Sequence, residues 1–225
     1  KATPRTDGTT EEFSWGCKSD GTYSNIWSTT TSGTSSGSTS MQLLNGIWLT
    51  RESGSYYNNN NNSTTATTVN FTDYGPSDKA QSLINTTSRY YLGGYSDSSL
   101  KTSDIYLAER GKMTSSGNSK YWDGKIALMY PSDYGYAAGN SCVTGTDPFN
   151  YTGGCMNKDW LNTNGTDWTI TPDTSNDALV CCVIYGDAGG NTSYYSLGSR
   201  PTFYLKSTVS ISSATGTETD PYIAS

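Results

Sequence analysis

An α+β domain with short helices, many short strands and long polar loops is the fold class the sequence predicts. Three observations predict it. Short apolar runs fill the last third of the chain, helical stripes never exceed two or three turns, and tracts of Ser, Thr, Asn and Gly separate the two. At 225 residues the chain reads as a single domain, with residues 1–40 as a polar N-terminal extension.

The elements follow in order. Ser28 to Ser40 is almost entirely Ser, Thr and Gly and reads as a solvated loop. Ser40 is then placed to cap a short helix carrying Met41, Leu43 and Leu44, which Gly46 ends. A second polar tract, Asn58 to Thr68, reads as a surface insertion. Beyond Gly75-Pro76, Asp78 stands before the stripe Ala80, Leu83, Ile84, and Ser103 before Ile105, Leu107, Ala108 and the stop Gly111, so both read as capped amphipathic helices. Between them, Tyr90 to Tyr95 forms an aromatic strand and turn. Trp122 to Tyr130 reads as a strand running straight into a one-to-two-turn helix, Pro131 to Ala138. Asp133 is expected to open that helix and Asp123 to sit in the turn before Gly124. Trp168 to Ile170, Ala178 to Tyr185 and Pro201 to Ile211 read as strands, the last alternating at Phe203, Leu205, Val209 and Ile211. Trp122, Trp160 and Trp168 are assigned to the core. Arg200 is expected to reach a carboxylate across the closing strand.

Composition excludes several function classes. Charged residues are only 15%, against about 25% in ordinary domains, while aromatics reach 12%, so the chain is folded with a neutral, hydroxyl-rich surface. Its net charge of −6 and the absence of any Lys/Arg cluster argue against nucleic acid as a partner. There is no His, which removes the usual general base and the commonest zinc ligand. The carboxylates Asp123, Asp133 and Asp167 carry no spacing a mechanism demands, so no enzyme, cofactor or metal is expected. The longest apolar stretch, Ala178 to Tyr185, falls short of the roughly 20 residues of a membrane span.

Five cysteines include no C-x-x-C pair. Cys142 and Cys155 bracket a loop rich in Gly and Pro, and a local disulfide is expected to close it. Adjacent Cys181 and Cys182 on an extended segment point to opposite faces, so at most one reaches Cys17 easily, and their pairing stays open.

The run Gly124-Lys125-Ile126-Ala127-Leu128-Met129-Tyr130-Pro131-Ser132-Asp133-Tyr134-Gly135-Tyr136-Ala137-Ala138 resembles the G-K-x-x-L-P-x-x-x-E-W-E-Y-A-A element of the formylglycine-generating-enzyme branch of the C-type lectin-like fold. Gly198-Ser199-Arg200-Pro201 resembles that branch's closing strand. The chain is also similar to exported, prepilin-like bacterial domains over Met41-Gln42-Leu43-Leu44-Asn45, Tyr91-Leu92-Gly93-Gly94-Tyr95, Asp159-Trp160-Leu161 and Trp168-Thr169-Ile170-Thr171-Pro172. The resemblance implies a C-type lectin-like fold over roughly Met41 to Ser225. Two departures matter. Cys181-Cys182 does not reproduce the spacing of the branch's redox cysteines, and the calcium-holding motifs of sugar-binding lectins are missing.

Variable proteins of diversity-generating retroelements share this fold, and their adenine-targeted codons never encode Lys, Glu, Gln, Met or Trp. None of these five occurs from Asp173 to Leu197, although the chain has 9 Lys, 5 Glu, 2 Gln, 4 Met and 6 Trp; composition alone would leave such a gap about 5% of the time. The resemblance therefore implies a diversified binding face within that window. The candidate ligand-binding residues are Asp173, Asn176, Asp177, Cys182, Tyr185, Asp187, Gly190, Asn191, Thr192, Tyr194, Tyr195 and Leu197. Gly186 to Leu197 has the Tyr, Ser, Gly and Asn content of a paratope, and equally of a hairpin loop. The expected function is a non-catalytic ligand-binding or adhesion domain for a protein or glycan receptor. Its expected place is extracellular, on a cell, filament or virion surface. The alternative is the head of a type IV pilin-like filament subunit, with filament or homo-oligomer contacts.

Overall fold

Two ends of the chain meet in one sheet. Strand β1 (Phe13–Ser14) pairs antiparallel with β10 (Ser196–Ser199), which runs parallel to β7 (Thr166–Pro172). Then β8 (Leu179–Ile184) and β9 (Asp187–Thr192) follow antiparallel, in the order β1-β10-β7-β8-β9. The computed structural model describes residues 12–35, 37–58, 65–96, 99–111, 114–143, 147–151, 153–162, 165–214 and 222–224. Three two-stranded sheets accompany the large one: β2 (Ser53–Asn58) with β3 (Thr65–Asn70), β4 (Ser88–Tyr91) with β5 (Tyr121–Gly124), and β6 (Ala127–Leu128) with β11 (Pro201–Thr202). The helices are short: α1 (Thr39–Leu43), continued by a π-helical turn over Leu44–Trp48, α2 (Asp78–Leu83), α3 (Thr102–Glu109), α4 (Pro131–Ala137), α5 (Asn140–Val143) and α6 (Gly153–Met156). The architecture is mixed α+β with small sheets. Among the described residues no helix is long and apolar enough to cross a membrane.

Alternation along β7 and β8 sends Trp168, Ile170, Val180 and Cys182 into the main core, where they join Trp15, Trp27, Leu44, Trp122 and Leu128. Of these four buried indoles, Trp15, Trp122 and Trp168 donate to backbone carbonyls, and Trp27 Nε1 has no partner. Trp15 Nε1 donates to the Thr169 carbonyl and Trp168 Nε1 to the Phe13 carbonyl, both at 2.9 Å. A second cluster, with Met129, Tyr134, Tyr151 and Val183, contains the Cys142–Cys155 disulfide, whose Cα atoms lie 5.7 Å apart. Cys17, Cys181 and Cys182 are free and buried.

Several expectations need correction. From Phe13 onward the N-terminal segment is no extension, because Phe13, Trp15 and Trp27 are buried in the main core. Within the expected solvated loop, residues 29–35 are exposed, but it is tied to the core at two points, with Ser38 N donating to the Trp27 carbonyl and Trp122 Nε1 to the Gly33 carbonyl, both at 2.9 Å. Ser38, not Ser40, caps α1, accepting from Met41 N at 3.1 Å; Ser40 Oγ instead donates to the Ser14 carbonyl. Gly46, at φ −107° and ψ −105°, interrupts the helical path as expected, and a second short helical stretch follows the kink. Helix α2 is capped by Ser77, one residue before Asp78, and α3 starts at Thr102 without a side-chain cap. The flanks of the Asn58 to Thr68 tract are the paired strands β2 and β3, while residues 59–64 lie outside the described residues. Asp133 Oδ2 accepts from Tyr130 N at 3.0 Å and opens α4. Asp123 lies on β5, where it holds Arg89 through two hydrogen bonds of 2.9 and 2.8 Å. The closing strand ends at Thr202, because β6 offers only two residues to pair with; beyond it, Leu205 and Ile211 make single bridges, and Phe203 and Ile211 are exposed.

Candidate functional site

The window Asp173 to Leu197 folds as a hairpin with a turn at each end. Tyr185 and Gly186 connect β8 to β9 at φ +49° and +102°, the two left-handed positions that a two-residue hairpin turn requires. Three hydrogen bonds fix this tip. Tyr185 N donates to the Gly165 carbonyl at 2.9 Å, Tyr134 Oη to the Gly186 carbonyl at 2.6 Å, and Tyr151 N to Asp187 Oδ1 at 3.0 Å. Tyr185 therefore stands 70% exposed on an immobilised support.

The opposite end carries the other cluster. Leu179 pairs with Thr192, so the turn before β8 lies beside Thr192 to Tyr195. Asp173 Oδ1 accepts from Ser175 N at 2.7 Å and Asn176 N at 3.1 Å, while Asn25 Nδ2 reaches the carbonyls of Asp173, Asn176 and Leu179 at 2.8–2.9 Å. Asn176 and Asp177 project from this fixed turn into solvent. Tyr194 lies 4.5 Å from the Tyr195 ring and 4.7 Å from that of Tyr23. At about 3.4 Å per residue, β9 separates the two clusters by roughly 17 Å. Gly190, exposed, and Asn191, half-buried, lie between them.

Two candidates do not belong to a binding surface. Cys182 is fully buried, opposite Trp168 on β7 and Gly189 on β9, with its side chain in the main core. Leu197 pairs with Phe13 and packs against the same core. Asp187 is spent on the tip's own support.

A cavity of about 310 Å³ opens where β9 is almost bare of side chains. Gly189 and Gly190 lie opposite Cys182 and Cys181, and Tyr95, Phe149 and Pro172 form the facing walls. The Tyr95 and Phe149 rings meet edge-on at 5.3 Å, and Tyr95 Oη donates to Cys181 Sγ at 2.8 Å. Burial pushes the Cys181 thiol up to about 12, so it is neutral at pH 7 and no nucleophile. Sequence reasoning missed Tyr95 and Phe149; the available signal was the Gly-Gly pair in a strand, which leaves room for a neighbour.

Trp160 corrects a further expectation. It is 77% exposed and not in the core. Its neighbour Asp159 turns inward, accepts from Leu161 N at 2.8 Å and fixes the turn, so Trp160 is left facing water. Burial raises the Asp159 carboxyl to about 6. The same segment includes Met156, against which Gly186 packs so closely that a Cβ there would lie 2.5 Å from Met156 Cγ. Trp160 and Tyr185 thus belong to one supported end of the molecule. Arg200 Nε donates to Asp167 Oδ2 at 3.0 Å. Asp123, Asp133 and Asp167 each hold a partner of their own, and among the described residues no three Cys, Asp or Glu converge as metal ligands would.

No family model matches the chain, and neither does any curated protein or solved structure.

Proposed function

We propose that the chain is a non-catalytic ligand-binding module, in the manner of a retroelement-diversified variable protein. Its recognition surface is the β8–β9 hairpin with its two turns, and its ligand is a receptor, protein or glycan, on another surface. One observation carries this reading: Tyr185 is 70% exposed on a tip held by three hydrogen bonds. A large aromatic with few rotatable bonds on a rigid support loses little entropy on binding, which is how recognition loops gain affinity. Exposed Trp160 on the adjoining segment supplies a second anchor of the residue type most enriched at binding hot spots.

Population sequencing of the locus tests the reading. Adenine-derived codon variation is expected at exposed or partly exposed positions such as Asn176, Asp177, Tyr185, Gly190, Asn191 and Tyr195. The buried Val180, Cys182, Val183 and Ala188 should stay fixed, as should Gly124 to Ala138. Equal, low variation in both windows would overturn the diversified face and favour the filament-head alternative.

A further inference from the structure

We propose that the groove between Asn85–Arg89 and Tyr204–Thr208 is a second binding site, for a neutral saccharide. It shares no residue with the hairpin surface. The two segments are tied where Ile84 bridges Leu205, with Asn85 N donating to the Tyr204 carbonyl at 2.8 Å and Lys206 N to the Leu83 carbonyl at 2.9 Å. Beyond this tie they flank a shallow, open groove of about 750 Å³.

Three features define the ligand's chemistry. The first is an aromatic platform. Tyr204 is half-exposed, and its ring rests on Tyr90 at 5.5 Å, which in turn stacks on Trp122 at 5.9 Å. A ring backed in this way is rigid, and its electron-rich face attracts the C–H face of a sugar. The second is the lining, in which Thr86, Thr87, Ser207 and Thr208 supply hydroxyls that both donate and accept, as sugar hydroxyls require. Ser88 contributes little to this lining, because its side chain shares the buried face of its strand with Tyr90 and its Oγ is sealed from the groove.

The third feature is charge balance. Both cations at the groove are engaged: Arg89 holds Asp123 through two hydrogen bonds and covers the Tyr121 ring at 3.7 Å, and Lys206 Nζ donates to the Ser82 carbonyl at 2.5 Å. Asp123 neutralises the arginine, and Lys206 keeps a single ammonium charge, so the groove lacks the free bidentate guanidinium that a phosphate or acidic-sugar site uses. Hydroxyl-rich, aromatic and without a free carboxylate clamp, it fits an uncharged oligosaccharide.

The test is an amide-resolved NMR titration of the full chain with lactose, maltotriose and chitotriose, and separately with 3′-sialyllactose and inorganic phosphate. At least one neutral sugar should shift the amides of Thr86–Ser88 and Tyr204–Thr208 and leave those of Tyr185–Thr192 in place. Tyr204→Ala should weaken that sugar about tenfold, and Thr87→Ala several-fold. Thr87→Ala removes an exposed hydroxyl of the lining, so it keeps the test intact should Tyr204→Ala misfold. The proposal is overturned by silence with all three neutral sugars, by shifts that both variants retain at full strength, or by preferential binding of sialyllactose or phosphate.

Discussion

Glu109 is the most consequential single residue outside the binding surfaces. It ends α3 fully buried, accepts from Ser132 N at 2.9 Å and from the Ser132 hydroxyl, and faces Arg110 Nη1 at 3.1 Å, with Asp133, Tyr130 and Tyr95 also close. Burial wins over these partners and pushes its carboxyl from 4.5 up to about 8. The folded state then holds a proton that the unfolded chain releases, so this stabilisation is complete below about pH 4.5 and is lost as pH rises through about 8. The slope is at most about 1.4 kcal/mol per pH unit. Urea midpoints should fall up to about pH 8 in the native chain, whereas in Glu109→Gln the fall left by Asp159 should end near pH 6. Identical profiles in both would mean that Arg110 keeps Glu109 ionised. Such a residue is invisible in sequence, because one Glu at a helix end looks like any other until the chain buries it. Trp122 and Trp168 were legible as core from the strands they begin, whereas Trp160 was not, since a turn decides its direction and strand alternation has no say there.

At the scale of elements, the hairpin depends on its two left-handed residues. Gly186→Ala should cost about 1–2 kcal/mol for the backbone alone, and more because the new Cβ meets Met156 at 2.5 Å. Chemical denaturation checks this, with Tyr185→Asn expected to be neutral or mildly stabilising, since Asn tolerates the same region. Strands β7 and β8 and helix α4 were readable from apolar runs and from Pro131 with Asp133 at a helix start. Strand β9 was not. Its sequence, Asp187-Ala188-Gly189-Gly190-Asn191-Thr192, has the composition of a turn, and it is extended because the apolar β8 lies beside it and supplies a partner. The candidate window thus has another form than a loop: it is a braced hairpin with two separated aromatic ends.

At the scale of the whole molecule, the segment expected to be a polar extension is part of the fold from Phe13 onward. Phe13, Trp15 and Trp27 are all buried in the main core, and losing one such aromatic costs about 3–5 kcal/mol, against a total stability of about 5–15 kcal/mol. Deleting residues 1–27 should therefore abolish cooperative unfolding and amide dispersion; a truncated chain with a sharp melting transition would refute this. The pairing of Phe13 with Leu197 carries a kinetic consequence as well. β10 is made after every other strand of this sheet, so β1 must wait unpaired until then, and closure of the sheet is slow and non-local. Throughout that wait Cys17, Cys181 and Cys182 are accessible thiols, open to the same oxidant that joins Cys142 to Cys155. Native yield in an oxidising compartment is then set by a race between sheet closure and mispaired crosslinks.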